Sequence, residues 1–208
     1  MNTLEEILIN KNASCQSLWF MRQAGRYLPE FRKIRSQNNN FIKLCLNSKL
    51  SSEITLQPIK RYNLDSAIIF SDILLVPYAL GQEVEFIKDH GPVLSKFNIE
   101  KFLEKEEQDF TNKLQPVYDA IKETRKNLDN NKSLISFIGA PWTLIVYMLG
   151  LKENKNTINI KKFRELEKIA EKILNKLIKC LCTHIEKQID AGSNVIQIFD
   201  SWAGLIPN

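Results

Sequence analysis

The sequence has no long apolar run and no recognisable export signal. Its longest nearly unbroken apolar stretch is Ile73–Leu80, which contains Pro77 and is far shorter than the ~18 residues that span a membrane. The N-terminal segment carries Glu5 and Glu6 where a secretory signal peptide would be positively charged and then apolar. We therefore expect a cytoplasmic protein that has no membrane partner.

The motifs by which proteins commonly hold metals or nucleotides are also absent. The cysteines form no C-x-x-C pair, and with so few histidines no group has the spacing of a zinc site; these residues are Cys15, Cys45, Cys180, Cys182, His90 and His184. There is no G-x-G-x-x-G, G-x-x-x-x-G-K-[ST] or G-x-S-x-G, which argues against a dinucleotide, a nucleoside triphosphate and a serine hydrolase. We expect free thiols, no metal and no cofactor.

Neither sign of charge is in large excess. Lys and Arg number 29 against 24 Asp and Glu, which gives a net charge of +5. A nucleic-acid-binding domain usually concentrates more positive charge on one face. The apolar and charged fractions, 44% and 25%, are those of an ordinary globular protein. We therefore expect no nucleic-acid partner.

The local patterns predict an α/β fold. Segments rich in β-branched and aromatic residues predict four buried strands: Ser17–Met21, Ser66–Phe70, Leu134–Ile138 and Asn194–Phe199. Helical patterns lie between them, at Ser51–Tyr62, at Phe102–Leu128, which Pro116 can divide, and at Lys161–Ala191, which Gly192 would end as a left-handed C-cap. Gly81–Leu94 predicts a hairpin. This alternation predicts parallel strands in either an open doubly wound sheet or a barrel.

Arginine is scarce and unevenly distributed. Among 22 lysines and seven arginines, four arginines lie within fourteen residues: Arg22, Arg26, Arg32 and Arg35. A guanidinium binds a carboxylate or phosphate through two parallel hydrogen bonds, which lysine cannot reproduce. Arg22 and Arg26 follow the first predicted strand, and Ala24 and Gly25 between them permit a close approach of the backbone to a ligand. We predict an anion site there, whereas Arg32 is interpreted as part of a solvated helix face or an ion pair.

Polar residues follow the other predicted strands as well. Asp72 ends the second strand, where it is either a helix cap or a carboxylate facing a ligand. Gly139–Thr143 and then Tyr147 follow the third strand, and Asp200–Gly204 follow the fourth. Carboxyl ends of parallel strands meet at one rim, so the residues alone predict a pocket for a polyanionic ligand with one or two carboxylates inside. His184 is expected to be a packed or surface residue.

Four longer motifs include these positions: Trp19–Arg32 (WFMRQAGRYLPEFR), Phe70–Gly81, Gly139–Tyr147 and Phe199–Gly204. Their order and spacing resemble those of the uroporphyrinogen decarboxylase family. The resemblance implies a (β/α)8 TIM barrel that decarboxylates the four acetate side chains of uroporphyrinogen III, giving coproporphyrinogen III in haem biosynthesis. It also implies a cytoplasmic carboxy-lyase that needs no metal or cofactor and forms a homodimer.

The resemblance implies roles for individual residues. Asp72 matches a carboxylate that stabilises a cationic, ring-protonated pyrrole while carbon dioxide leaves. Arg22 matches a substrate contact that is also a proposed proton donor in the family. The other implied substrate contacts are Gln23, Ala24, Gly25, Arg26, Arg35, Tyr147 and Ser201.

The matched motifs belong to the first part of the family. Family members continue beyond the position of Asn208 with four more strands and a histidine that contacts substrate. Because a (β/α)8 barrel typically needs ~250 residues, residues 1–208 are interpreted as the N-terminal part of one barrel domain, with about four β/α units. We expect this fragment alone to be poorly soluble and inactive, since the edges of its sheet stay open.

Two other functions stay open. One is a corrinoid-dependent methyltransferase on the same fold, although such enzymes lack the arginine-rich first motif. The other is a non-catalytic tetrapyrrole-binding or scaffold protein, if the short chain is complete. An in-frame continuation past Asn208 favours the enzyme, and a stop codon there favours the scaffold.

Overall fold

The computed structural model describes residues 3–11, 16–87, 90–154, 157–165 and 167–206. The chain divides into two compact units. The first comprises residues 1–72, 115–137 and 185–197, and the second comprises residues 73–114, 138–184 and 198–208. Within the described ranges, no helix combines the length and the apolar composition that a membrane span requires.

The described ranges contain helices and strands in mixed order. The helices are α1 (Thr3–Asn10), α2 (Pro29–Gln37), α3 (Phe41–Cys45), α4 (Ser48–Tyr62), α5 (Leu75–Ala79), α6 (Ile99–Glu104), α7 (Glu107–Asn127), α8 (Pro141–Met148), α9 (Ile160–Glu165) and α10 (Glu167–Asp190). The strands are β1 (Ser66–Ile68), β2 (Val84–Ile87), β3 (Gly91–Leu94), β4 (Ser133–Gly139) and β5 (Val195–Phe199).

Three of these strands form a sheet in the order β1-β4-β5. β1 pairs with β4 in parallel, with Ser66 opposite Ser133. The Asn194 N–H donates to the Leu134 carbonyl oxygen (2.8 Å) beside the start of β5. Strands that follow one another in the chain, apart from the β2–β3 hairpin, are therefore neighbours in the sheet. The predicted α/β class with parallel strands is confirmed.

The first predicted strand, Ser17–Met21, is wrong. The segment has no regular secondary structure, and Met21 lies in a turn. Two hydrogen bonds join Leu18 to Asp65: the Leu18 N–H donates to the Asp65 carboxylate (2.6 Å), and the Asp65 N–H donates to the Leu18 carbonyl oxygen (3.2 Å). No further rung follows, and Leu18, Phe20 and Met21 are each more than half exposed. A strand of a parallel sheet is stabilised by ladders and by covered faces, and the described residues supply neither here. The sheet of the described residues contains three of the four predicted strands, so the expected number of about four β/α units is not confirmed.

Two helix boundaries differ from their predictions. The Phe102–Leu128 pattern is interrupted between α6 and α7, whereas Pro116 lies inside α7. Proline leaves the carbonyl of the residue four positions earlier without a helical partner, and that residue, Asn112, is exposed to water. α4 begins three residues before the predicted Ser51, because the Asn47 side chain accepts from the Leu50 N–H (3.1 Å) as its N-cap.

Other local predictions are confirmed. Gly192 follows α10 with φ +108°, the left-handed region in which glycine is favoured. Gly81–Leu94 contains the antiparallel pair β2–β3, with Val84 opposite Leu94. The predicted helix Lys161–Ala191 is described as α9 and α10, on either side of residue 166, which lies outside the described residues.

Each unit has its own apolar packing. In the first unit, Leu28, Phe31, Leu44 and Ile54 form a buried cluster against which Phe70 packs. In the second unit, Phe110 and Leu114 are fully buried, and the Phe110 ring meets His184 edge to face at 6.2 Å between centroids. His184 was expected to be either a packed or a surface residue, and it is a packed core residue. Its burial lowers its pKa to about 3.

Candidate active site

The arginine-rich loop of the first unit is held by the side chain of Gln23. This side chain is buried, with 2% of its surface exposed. Its amide oxygen accepts from the Phe20 N–H (2.9 Å), and its amide nitrogen donates to the Ser66 carbonyl oxygen at the start of β1 (3.1 Å). Both polar ends of Gln23 thus bind the protein's own backbone, and they fix the loop to the sheet.

A second set of contacts closes the loop from the side of α2. The Arg32 guanidinium donates to the Arg26 carbonyl oxygen (2.7 Å), and the Tyr27 hydroxyl donates to the Gln23 carbonyl oxygen. The Leu28 N–H donates to the Gly25 carbonyl oxygen (3.0 Å) and closes a turn. Arg32 therefore supports the loop backbone. Its interpretation as part of a solvated helix face or an ion pair did not include this role. The acid nearest in the motif, Glu30, pairs instead with Arg61 at 3.0 Å.

Arg22 and Arg26 lie in this loop with exposed side chains. Within the ranges that the structure describes, neither guanidinium donates a hydrogen bond or forms an ion pair. Arg22 lines an open cleft of about 520 Å³ whose other walls are apolar or aromatic: Phe20, Met21, Tyr27, Tyr62 and Leu64. A guanidinium beside such walls is well suited to binding an anionic group carried on an apolar body.

The second motif is packed against the same loop. Ala24 of the loop and Phe70, two residues after β1, both contact the cluster around Leu28 and Phe31, and the Phe31 and Phe70 rings meet at 5.6 Å between centroids. Asp72 follows Phe70 by two residues. The structure thus brings the first motif and the segment that leads to Asp72 together in one unit.

Two hydroxyl groups of α4 hold the backbone of Phe70. The Ser51 hydroxyl donates to the Phe70 carbonyl oxygen (2.6 Å). The Thr55 hydroxyl accepts from the Phe70 N–H (2.8 Å) and donates to the Ser51 carbonyl oxygen (2.7 Å). Both α4 side chains are buried, so the N–H and the carbonyl oxygen of Phe70 have fixed partners two residues before Asp72.

Arg35 and Asp72 lie near a common buried thiol. Burial raises the pKa of Cys45 well above its ordinary value; the charge of Asp72 raises it further, and the charge of Arg35 lowers it. Arg35 also donates to the Asn38 carbonyl oxygen and lies over the Phe41 ring at 5.9 Å from its centroid. Asp72 and Arg35 are both half-buried, and the charges of both act on the same thiol of the first unit.

In the second unit, the third and fourth motifs are joined by the hydroxyl of Thr143. It donates to the Asp200 carboxylate (2.7 Å) and accepts from the Trp202 N–H (3.2 Å). The Trp142 indole N–H donates to the Trp202 carbonyl oxygen (2.9 Å). A side chain on Gly139 would clash, because its Cβ would lie 2.8 Å from the Leu144 Cδ2 atom. A side chain at this position would therefore force the neighbouring Leu144 and Ile73 side chains to shift.

The two predicted substrate contacts of the second unit, Ser201 and Tyr147, both adjoin Trp202. Ser201 precedes it and is exposed. The Tyr147 ring meets the Trp202 ring edge to face, with 6.2 Å between centroids. Tyr147 also lines a groove of about 540 Å³ together with Lys96, Lys152 and Lys162 among mainly apolar walls.

The predicted site residues therefore fall into two sets. Arg22, Gln23, Ala24, Gly25, Arg26, Arg35 and Asp72 belong to the first unit, and Tyr147 and Ser201 belong to the second. Their roles toward a substrate stay predictions. The sequence reasoning missed the supporting hydroxyls Ser51, Thr55 and Thr143 and the supporting guanidinium of Arg32. Thr143 and Arg32 lie within motifs already singled out, which is a signal that could have found them, whereas nothing in the sequence pointed to Ser51 and Thr55.

Comparisons with known proteins agree with these motifs. The family model of uroporphyrinogen decarboxylase (URO-D) matches residues 2–208. A uroporphyrinogen decarboxylase from Rickettsia felis is 42% identical over 199 residues, which are 95% of this chain and 58% of that relative. One from Campylobacter jejuni is 46% identical over 192 residues, which are 91% of this chain and 56% of that relative. The chain thus spans a little over half the length of these curated relatives.

Among solved structures, a methyltransferase from Methanosarcina mazei superposes with a TM-score of 0.73. The match covers 98% of this chain and 63% of that chain at 14% sequence identity. At this identity the likeness shows a common fold alone. The family model spans nearly every residue of the chain, including the loop of Arg22 and Arg26 and the segment of Asp72. The chain belongs to the uroporphyrinogen decarboxylase family.

Proposed function

We propose that the protein decarboxylates the four acetate side chains of uroporphyrinogen III to give coproporphyrinogen III, without a metal or cofactor. The observation that carries the proposal is the loop of Arg22 and Arg26. The backbone of this loop is held by several hydrogen bonds, while the guanidinium groups of Arg22 and Arg26 have no partner within the described residues. Charged groups that are held in place and left unpaired suit a polyanionic ligand.

Binding of the substrate follows from this arrangement. Uroporphyrinogen carries eight carboxylates, and we assign Arg22 and Arg26 to bind some of them. Gln23 contributes by holding the loop, since both ends of its side chain bind backbone groups. Ala24 and Gly25 keep the loop surface low enough for the large ring to approach. Arg35, Tyr147 and Ser201 are further proposed contacts.

The chemical step uses the pyrrole of the substrate as its electron sink. A proton adds to a ring carbon and makes the ring cationic. The bond between the acetate carboxyl and its methylene then breaks, its electrons pass into the ring, and carbon dioxide leaves. The exocyclic carbon takes up a proton and the ring carbon gives one back, which leaves a methyl group. Each acetate therefore consumes one proton in total.

We assign Asp72 to stabilise the cationic ring. A fixed carboxylate aimed at developing positive charge lowers the barrier by several kcal/mol where water is excluded. The hydroxyl groups of Ser51 and Thr55 hold the peptide of Phe70 two residues earlier, which restricts where the carboxylate can lie. Arg22 is the proton donor that the resemblance implies; because guanidinium groups stay protonated in proteins, we assign it first to substrate binding.

We further propose that residues 1–208 form the N-terminal part of one (β/α)8 barrel domain. The support is the order of the parallel strands, β1-β4-β5, in which strands that follow one another in the chain lie side by side. The homodimer and the cytoplasmic location stay predictions from the resemblance and from the sequence.

The test is an anaerobic assay of coproporphyrinogen formation from uroporphyrinogen III. The protein is expressed from the complete reading frame, including any codons after Asn208, and residues 1–208 are assayed in parallel. We expect product from a reading frame that continues and none from residues 1–208 alone. Product from residues 1–208 would contradict the half-barrel assignment. A stop codon after Asn208, with tetrapyrrole binding and no product, would favour the scaffold protein.

A further inference from the structure

The hydroxyl of Thr143 binds the two residues that flank Ser201. Thr143 lies in the first turn of α8 and has no exposed surface. Its Oγ1 atom donates to the Asp200 carboxylate (2.7 Å) and accepts from the Trp202 N–H (3.2 Å). Ser201 stands between these two residues in the chain, so one buried group binds the side chain of the residue before it and the backbone N–H of the residue after it.

The same contact reaches Tyr147 through Trp202. Trp202 is 7% exposed, and its carbonyl oxygen accepts from the Trp142 indole N–H (2.9 Å). Its ring packs edge to face against Tyr147, with an angle of 81° between the planes. A shift of the Trp202 backbone would therefore move the surface against which Tyr147 packs. Ser201 and Tyr147 lie 54 positions apart in the chain and depend on one hydroxyl.

We propose that Thr143 is a positioning residue that sets the arrangement of the Ser201 and Tyr147 hydroxyl groups toward the carboxylates of the substrate. This inference rests on the proposed function for its substrate. Thr143 cannot touch substrate itself, because it is fully buried. Its effect falls on substrate binding, since the two residues it positions are proposed substrate contacts and the cationic ring is assigned to Asp72.

The test compares Thr143→Val with Thr143→Ser in the protein expressed from the complete reading frame. Valine keeps the shape of threonine and removes both hydrogen bonds, and serine keeps them. We expect Thr143→Val to raise KM about tenfold, the scale of loss that a small misplacement of binding groups causes, with kcat changed much less. Thr143→Ser should restore KM to within about threefold. The matched control is Thr111→Val, which removes another buried threonine hydroxyl of the second unit, one that bonds only within its own helix.

A second pair of variants covers the case in which Thr143→Val does not fold. Asp200 is exposed, so Asp200→Ala removes the acceptor from the outside and should also raise KM, whereas Asp200→Asn keeps an oxygen there and should not. An unchanged KM in Asp200→Ala or in a folded Thr143→Val protein contradicts the proposal. So does an equal rise in KM for the valine and serine variants.

Amide hydrogen exchange separates this inference from the proposed function. The Trp202 N–H donates to the Thr143 hydroxyl, so it should exchange faster in Thr143→Val than in the wild type, whether or not the protein turns over substrate. If exchange is faster in Thr143→Val but the wild-type protein forms no coproporphyrinogen, the contact between Thr143 and Trp202 is supported and the proposed substrate is refuted. Unchanged exchange refutes the positioning role directly.

Discussion

Replacing Thr55 by valine tests whether α4 holds the backbone of Phe70, two residues before Asp72. Thr55 is 1% exposed, and its hydroxyl accepts from the Phe70 N–H and donates to the Ser51 carbonyl oxygen. Valine has nearly the same shape, so the change removes the hydrogen bonds and leaves the packing in place. The Phe70 N–H then loses its acceptor. A buried donor left unsatisfied costs ~1–3 kcal/mol; because this hydrogen bond is partly buried, we expect the free energy of unfolding to fall by about 1 kcal/mol, the lower end of that range.

The assay is urea unfolding followed by circular dichroism, with Thr55→Ser as the matched control. Serine keeps a hydroxyl at the same place, so Thr55→Ser should lose much less stability than the valine variant. The slope of the free energy against urea should be equal in all three proteins if only stability changes. A loss below about 0.5 kcal/mol in Thr55→Val, which is the range of neutral substitutions, would refute the reasoning.

Two further predictions concern the core of the second unit. Burial lowers the pKa of His184 from 6.5 to about 3. Between pH 6.5 and pH 3 the unfolded chain therefore binds a proton at His184 that the folded chain does not bind. The free energy of unfolding thus falls as the pH falls, by about 2 kcal/mol from pH 7 to pH 5. Urea unfolding of His184→Gln at both pH values should show that much less pH dependence, and equal dependence would contradict the assignment. In Gly139→Ala, the new Cβ would meet Leu144 at 2.8 Å and Ile73 at 3.1 Å, which should cost ~1–3 kcal/mol by the same measurement. The control Gly204→Ala, with no atom within 4 Å of its new Cβ, should be neutral, and a neutral Gly139→Ala would contradict the packing.

Two of the strands that the sequence predicted correctly are buried along most of their length. β1 and most of β4 are buried on both faces, and the apolar runs that produced the prediction are the direct result. The segment Ser17–Met21 has similar residues but is more exposed. Its state depends on which neighbours pair with it, and residue types within the segment carry no information about that.

The helices show the same limit. Pro116 has a strong local preference against the interior of a helix, yet it lies within α7, whose buried residues Phe110, Leu114, Val117 and Ile121 occupy one side. Packing of this apolar face outweighs the cost of one missing hydrogen bond. The local signal was read correctly and was overridden by tertiary contacts.

For the site, residue type singled out the loop of Arg22 and Arg26, whose binding of an anion stays a prediction, but it did not reveal the supports of that loop. Arg22 and Arg26 were recognisable because arginine is rare in this chain. The hydroxyls of Thr55 and Thr143 act on Phe70 and Asp200, which lie 15 and 57 residues away. A threonine in a helix gives no sign in the sequence of such a distant partner, so these roles become visible only in the folded chain.

The most direct test of the central claim is the turnover of Asp72→Asn in the protein expressed from the complete reading frame. Asparagine keeps the shape and removes the charge, so we expect an unchanged fold, substrate binding within a few-fold of the wild type, and coproporphyrinogen formation reduced by ~100-fold or more. Asp119→Asn, an exposed carboxylate on α7, serves as the control and should retain full activity. Turnover of Asp72→Asn within a few-fold of the wild type would contradict the assignment of this carboxylate to the cationic ring.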